Sequence, residues 1–297
     1  VGLQKLVQRP DWTVDHPAPA IDLSSNVNFD LLLHEKVKEL VSRCDNLFDY
    51  PNDYRVYKAI SDYYKLSLDT LSIGLGSAEI IERTLRALNP DFLYIVSPTW
   101  GMVEPLCQMY NIPYKCISRA EIEKHADPSG TLYIANPCGQ TGEVQSVKHL
   151  FSLFRYTLLD EAYSDWSPSY SCLHSHPDNV FVSKSISKSL CLAGLRVGFV
   201  HANERFTQKL QSIRPMYVTT RFAEVILPEV IWDQELVLDR LLYTKHKLEH
   251  QFECAPSYAN FVRFKQPNQL TARFGSKLIA EAHKMAVADW TTISNAL

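Results

Sequence analysis

The sequence predicts an α/β protein, a doubly wound sheet followed by a smaller α+β unit. Three observations carry this. Short apolar, β-rich runs recur, of the continuous kind seen in strands buried on both faces. Segments with helical spacing separate them, the alternation that places helices on both sides of a sheet. After about Pro215 the texture changes to a long, partly broken helical pattern, Phe222–His250, then one strand-like run, Asn260–Phe264, and a further helix, Leu270–Ala282.

Each element follows from its own residues. The strand runs are Leu71–Leu75, Phe92–Ser97, Tyr114–Ile117, Thr131–Ala135, Tyr156–Asp160, Val180–Ser183 and Val197–His201. Helical patterns fall at Asp53–Tyr64, Ala78–Leu88, Met102–Tyr110 and Ser146–Phe154. The expected division is an N-terminal arm over 1–48 that packs with the small unit, a large domain over 49–215 and a small one over 216–297.

Composition narrows the classes. With 46% hydrophobic and 21% charged residues the chain is ordinary globular material. Its 30 basic against 33 acidic residues lack the excess that phosphate-driven nucleic-acid binding requires. No run reaches the ~18 apolar residues of a membrane span, and the Pro-broken, polar start does not read as a signal peptide. Seven scattered cysteines without a CxxC fit reduced thiols in a cytoplasmic protein. Glycine is scarce, 10 of 297, and several glycines gather in turns: Gly74, Gly76, Gly139, Gly142, Gly194 and Gly198.

In open α/β sheets ligands collect at the carboxyl ends of strands. Five such ends carry candidate chemistry. Gly74-Leu75-Gly76-Ser77-Ala78-Glu79 opens a helix and offers backbone N–H groups to an anion; Ser77 as a plain N-cap explains it as well. Trp100, after Ser97-Pro98-Thr99, suits stacking on a planar ring or ordinary packing. Asn136 to Gly142 is a polar turn. Asp160-Glu161 closes an apolar strand, where a buried carboxylate needs a cation or hydrogen bonds. Ser185-Ile186-Ser187-Lys188-Ser189, with Arg196 eight residues on, suits a phosphorylated carbonyl compound. Lys188 is then the Schiff-base nucleophile, and Ser185, Ser187 and Arg196 the phosphate ligands. A solvated basic turn is the plain alternative. Taken together, the five ends match the needs of pyridoxal phosphate.

Ser185-Ile186-Ser187-Lys188-Ser189-Leu190-Cys191-Leu192-Ala193-Gly194-Leu195-Arg196-Val197-Gly198, preceded by Asp160-Glu161-Ala162-Tyr163, resembles the lysine segment of fold-type I, pyridoxal-phosphate-dependent class I/II aminotransferases. The histidinol-phosphate aminotransferase branch is the nearest. The resemblance covers about Leu23 to Phe264. It implies a seven-stranded, mostly parallel sheet in the large domain. It implies that Lys188 attaches the cofactor and shuttles the substrate proton. Asp160 then keeps the pyridine nitrogen protonated, Tyr163 bonds the phenolic oxygen, and Trp100 stacks on the ring. Ser77, Ala78, Ser185, Ser187 and Arg196 surround the phosphate. Tyr50, in Tyr50-Pro51, matches a tyrosine donated across a homodimer interface to the partner's cofactor. The substrates implied are an amino donor, glutamate, and a small keto or aldehyde acceptor.

Three departures stand out. The family's cofactor-binding asparagine falls on Gly139, so that bond is missing or Asn136 or Gln140 supplies it. The arm carrying Asn26, a candidate substrate contact, has Val27 and Phe29 where the family has Glu and Pro. Lys284 falls where the family places an arginine for the substrate carboxylate, with Arg221, Arg263 and Arg273 as alternative anion contacts. A decarboxylase or lyase on the same cofactor, or a non-catalytic descendant, are the competing readings. His246 and His250 have i,i+4 spacing but lack the glutamate of HExxH and fit a solvated helix face; no metal is expected. Lys184 is the rival Schiff-base lysine.

Overall fold

The computed structural model describes residues 26–266 and 284–295. The apolar runs become seven strands: β1 (Leu71–Leu75), β2 (Leu93–Ser97), β3 (Tyr114–Ser118), β4 (Asp127–Ala135), β5 (Phe154–Asp160), β6 (Val180–Ser185) and β7 (Val197–His201). They form one sheet in the order β1-β7-β6-β5-β4-β2-β3. Only β7 runs against its neighbours, being antiparallel to both β1 and β6. The other pairings are parallel. Both faces are covered, which is why the strands read as continuous apolar runs. Along β4, Leu132 and Ile134 enter one core cluster and Tyr133 the other; along β5, Leu159 and Leu158 divide in the same way.

Helices α1 (Leu31–Ser42), α2 (Asp53–Tyr64), α3 (Gly76–Leu88) and α4 (Val103–Met109) precede or alternate with the early strands. The short α5 (Ile186–Ser189) follows β6, and α6 (Glu204–Ser212) follows β7. The long helical pattern is divided into α7 (Arg221–Val230), a 3-10 turn (Ile231–Asp233) and α8 (Gln234–Gln251). Pro228 lies inside α7 and supplies no N–H to the helix ladder, so the break falls just beyond it. The segment Ser146–Phe154 departs from the expected helix. Only a 3-10 turn, Lys148–Ser152, forms there, and Phe154 already belongs to β5. Val147, Leu150 and Phe151 are buried. The i,i+3 pair Val147 and Leu150 is eclipsed in a 3-10 turn, so the apolar side is buried without a full helix.

A second sheet has the order β10-β9-β8, with β8 at Cys254–Ala255, β9 at Phe261–Phe264 and β10 at Lys284–Ala286. The expected helix Leu270–Ala282 lies outside the described residues. The arm enters through a bridge between Phe29 and Ala288, an ion pair between Asp30 and Arg240 at 2.7 Å, and packing of α1 on α7. No described helix is long and apolar enough to cross a membrane.

The antiparallel course of β7 sets the geometry of the functional edge. Its first residues lie beside the last residues of its neighbours, with Gly198 opposite both Gly74 and Ser185. The residue before β7, Arg196, therefore arrives where β1 and β6 end. Backbones meet closely here: a Cβ on Gly198 would stand 2.3 Å from Ser77 N. Gly198→Ala is therefore expected to cost about 2–3 kcal/mol of stability, read as a lower urea midpoint; an unchanged midpoint would contradict this close approach.

Candidate active site

The anion-binding end is built on three strand termini. β1 turns into α3 through Gly76, at φ +80°. The N-cap of α3 is Leu75, which gives no side-chain cap, so the Ser77 N-cap expected as an alternative is not formed. The first amides of a helix have no intrahelical acceptor, leaving Ser77 and Ala78 at a positive helix end. Arg196, itself left-handed at φ +56°, lies across that end. Its Nη2 donates to Leu75 O at 3.3 Å and its Nη1 to Ala193 O at 3.2 Å. A Cβ on Gly76 would stand 2.5 Å from the guanidinium, so only glycine leaves this space. Ser185 and Ser187 are buried at the β6–α5 junction, where Ser185 Oγ accepts from Ser187 N at 3.3 Å.

Asp160 ends β5 and is buried. Tyr133 OH donates to it at 2.9 Å, Ala162 N at 3.1 Å and Ser183 Oγ at 3.5 Å. Among the described residues no basic side chain pairs with it. Burial pushes its carboxyl above the usual range, opposed by the Tyr133 hydrogen bond. Such a group lacks a cation.

Lys188, on α5, sends Nζ to the backbone carbonyl of Asn26 at 2.7 Å. The same nitrogen lies 5.7 Å from the centroid of the Tyr163 ring. Asn260 Nδ2 donates to the same Asn26 carbonyl at 2.8 Å. The Asn26 carboxamide donates to Tyr163 OH at 3.3 Å and to Gly139 O at 3.2 Å. Burial pushes the Tyr163 phenol up to about 12.

The Asn136 carboxamide closes its own loop, exchanging two 3.0 Å bonds with the backbone of Gln145. Gln140 donates to Thr99 O at 2.9 Å. Trp100 is half-buried beyond β2 and packs on the core. Tyr50 is 74% exposed and stacks on Tyr217 at 4.2 Å. Arg221 pairs with the buried Glu224 at 2.6 Å, and Arg263 donates to Thr141 O at 2.7 Å. Lys284 opens β10 opposite Arg263; Arg273 lies outside the described residues. Lys184 is buried and bound to Ser164 at 2.6 Å and Asp165 at 2.7 Å, which removes it as the rival nucleophile. A cavity of about 440 Å³ beside Asp30, Arg240 and Trp290 contains none of the cluster.

Tyr133 and Asn260 were missed in the sequence. Tyr133 left a signal: its register partner Leu158 is two residues before Asp160, on the same face. Asn260 left none, because its partners lie on the distant arm. The residues present fit pyridoxal phosphate. An uncompensated buried carboxylate suits a protonated ring nitrogen, the α3 terminus with Arg196 suits a phosphate, and the Lys188 amine suits a carbonyl carbon.

Residues 18–294 match the family described as aminotransferase class I and II. A histidinol-phosphate aminotransferase of Pyrococcus furiosus is 26% identical over 251 residues, covering 78% of this chain and 74% of the relative. The structure of histidinol-phosphate aminotransferase from Sinorhizobium meliloti in complex with pyridoxal-5'-phosphate superimposes with a TM-score of 0.71, at 14% identity over 94% of this chain and 89% of that one. L-threonine-O-3-phosphate decarboxylase from Porphyromonas gingivalis gives 0.70 at 15% identity, over 93% and 96%.

The raised Asp160 carboxyl has a consequence for stability. The folded chain keeps this proton at a pH where the unfolded chain has released it, so the group costs stability as pH rises above the ordinary carboxylate range. In the cofactor-free protein, Asp160→Asn is expected to gain in Tm on the parent as pH rises from about 4 to 8. Parallel Tm curves for the two proteins would contradict this.

Proposed function

The chain belongs to the class I and II aminotransferases, and we propose that it moves an amino group from an amino acid, glutamate, to a small anionic keto or aldehyde acceptor with pyridoxal phosphate. The single observation that supports this reading best is Asp160, a buried carboxylate with no paired cation among the described residues, at the same sheet edge as Lys188. Histidinol-phosphate aminotransferases among the relatives support the acceptor class. When bound, pyridoxal phosphate supplies an electron sink for the pair released at the substrate α-carbon.

The chain's residues then divide the work. Lys188 Nζ would hold the cofactor's carbonyl carbon and, as a free amine, would take the proton from the substrate α-carbon. Asp160 keeps the proton on the ring nitrogen, where a neutral nitrogen would be a poorer sink. Tyr163 donates to the phenolic oxygen. The amides of Ser77 and Ala78, the hydroxyls of Ser185 and Ser187, and Arg196 bind the phosphate. Trp100 covers one ring face.

The working unit in this reading is a homodimer. Leu47, Phe48, Tyr50, Tyr54 and Met216 are exposed, Phe48 at 97%. Exposed apolar side chains of this kind support an association surface in this reading. Tyr50 on this surface reaches the partner's cofactor instead of its own. Phe48→Glu is expected to give a monomer in sedimentation velocity, with cofactor affinity lowered about tenfold or more. A dimer with parental affinity would contradict this.

The decarboxylase alternative has support from the Porphyromonas gingivalis fold neighbour and from the engagement of Arg221 and Arg263 elsewhere. Product analysis separates the two: a keto acid from the donor is expected, and released carbon dioxide would favour decarboxylation. Purified protein with pyridoxal phosphate is expected to show a visible band that borohydride removes, fixing the cofactor to Lys188. Lys188→Ala is expected to lack that attachment and to lose at least about a thousandfold in rate. An unchanged, borohydride-sensitive band in the variant would overturn the assignment.

A further inference from the structure

We infer that the Asn26 carboxamide is the second donor, beside Tyr163, to the cofactor's phenolic oxygen. This rests on the reading of Lys188 and Tyr163 proposed above. In pyridoxal phosphate the carbonyl carbon and the phenolic oxygen sit on adjacent ring carbons. The side chain that holds the carbon therefore has the oxygen beside its nitrogen. Lys188 Nζ is held by the Asn26 carbonyl at 2.7 Å, and the carboxamide of that same residue points at Tyr163 OH, 3.3 Å away. Phenol and carboxamide thus stand together at the corner where the oxygen must lie.

Among the described residues, the other candidate amides for this place are engaged away from Tyr163. A Cβ on Gly139 would stand 2.5 Å from Tyr163 Cε2 and 3.0 Å from its OH, so a side chain there would displace the phenol. Asn136 and Gln140 are bound to backbone groups of Gln145 and Thr99. Asn260 donates to the Asn26 carbonyl and to Asn28 Oδ1. Asn26 is held in the left-handed region at φ +55°, which asparagine tolerates better than most residues. That conformation lets one residue offer its carbonyl to Lys188 and its amide to Tyr163.

The chemistry of the corner gives the readout. A donor on the phenolic oxygen stabilises its anionic form and loosens its hold on the proton shared with the Lys188 nitrogen. Removing the donor therefore raises the pH at which that proton leaves. Among the described residues, the other titratable or charged groups around this corner are Tyr163, Cys138, Asp160 and Lys188 itself. All are kept in the variants below, so a shift reports on Asn26.

Asn26→Gly preserves the left-handed backbone and the carbonyl on Lys188 and deletes only the carboxamide. Asn26→Asp replaces the donor with a carboxylate that repels the phenolate. The protein saturated with pyridoxal phosphate is titrated, following the visible band. The expected midpoints rise by about one pH unit for Asn26→Gly, a tenfold change in the proton equilibrium, and further for Asn26→Asp. If Asn26→Gly does not retain a band, the upward shift in Asn26→Asp decides. Midpoints equal to the parent's in the variants that keep a band overturn the inference. The Lys188→Ala control separates the two failures: a surviving borohydride-sensitive band there rejects the whole site, whereas its loss with unshifted Asn26 variants rejects only the role of Asn26.

Discussion

One backbone carbonyl, that of Asn26, accepts from Lys188 and from Asn260, and the candidate site depends on it. It ties together three segments distant in sequence: the arm, the lysine turn and the second sheet. The residues next to it extend the same junction. Asn28 donates to Asn260 O at 3.0 Å and to Val287 O at 2.9 Å, Phe29 bridges Ala288, and Asp30 pairs with Arg240. Buried polar groups of this kind are costly unless every member finds a partner. These bonds hold the arm against the body of the protein, with the Asn26 carbonyl on the Lys188 nitrogen.

The sheet contributes a second constraint. β7 runs against its neighbours, so its entry lies among their exits, and Arg196 arrives at the α3 terminus already in contact with Leu75. Glycine at 76 and 198 permits this approach, because side chains there would meet the guanidinium or the Ser77 backbone. Next to this crowded end, Asp160 sits in the opposite energetic condition. It has hydrogen bonds and, among the described residues, no paired cation, and its burial works against ionisation. The fold thus spends stability on a group that a positively charged ring nitrogen would satisfy, a common arrangement at sites shaped for a ligand.

Much of this was legible in the residues alone. β1 and β7 fall on their expected ranges, because a continuous apolar run buried on both faces has no other use in a sheet. Lys188, Asp160 and Arg196 stand out in the sequence as candidates because each sits at a strand end with small or polar neighbours. The helix at Ser146–Phe154 was misjudged because an i,i+3 apolar pair satisfies a 3-10 turn as well as an α-helix. The backbone partners of Asn136 and Gln140 are not legible in the sequence, because an amide in a turn bonds a nearby backbone group and periodicity does not report which one that is.

The sequence by itself determined the alternation of strands and helices, the two-faced burial of the sheet, and the set of residue types along its functional edge. These depend on local patterns and on hydrophobic burial, both of which are written along the chain. Only the tertiary structure decided that Asn26 holds Lys188, that Tyr133 supports Asp160, that Lys184 is neutralised by Asp165, and that position 139 has no room for a side chain. Those outcomes depend on which backbone carbonyls and carboxylates come within hydrogen-bond reach, across separations of 162 residues for Lys188 and Asn26. A directional contact a few ångströms long leaves no periodic trace in the sequence, so folding alone selects its partners.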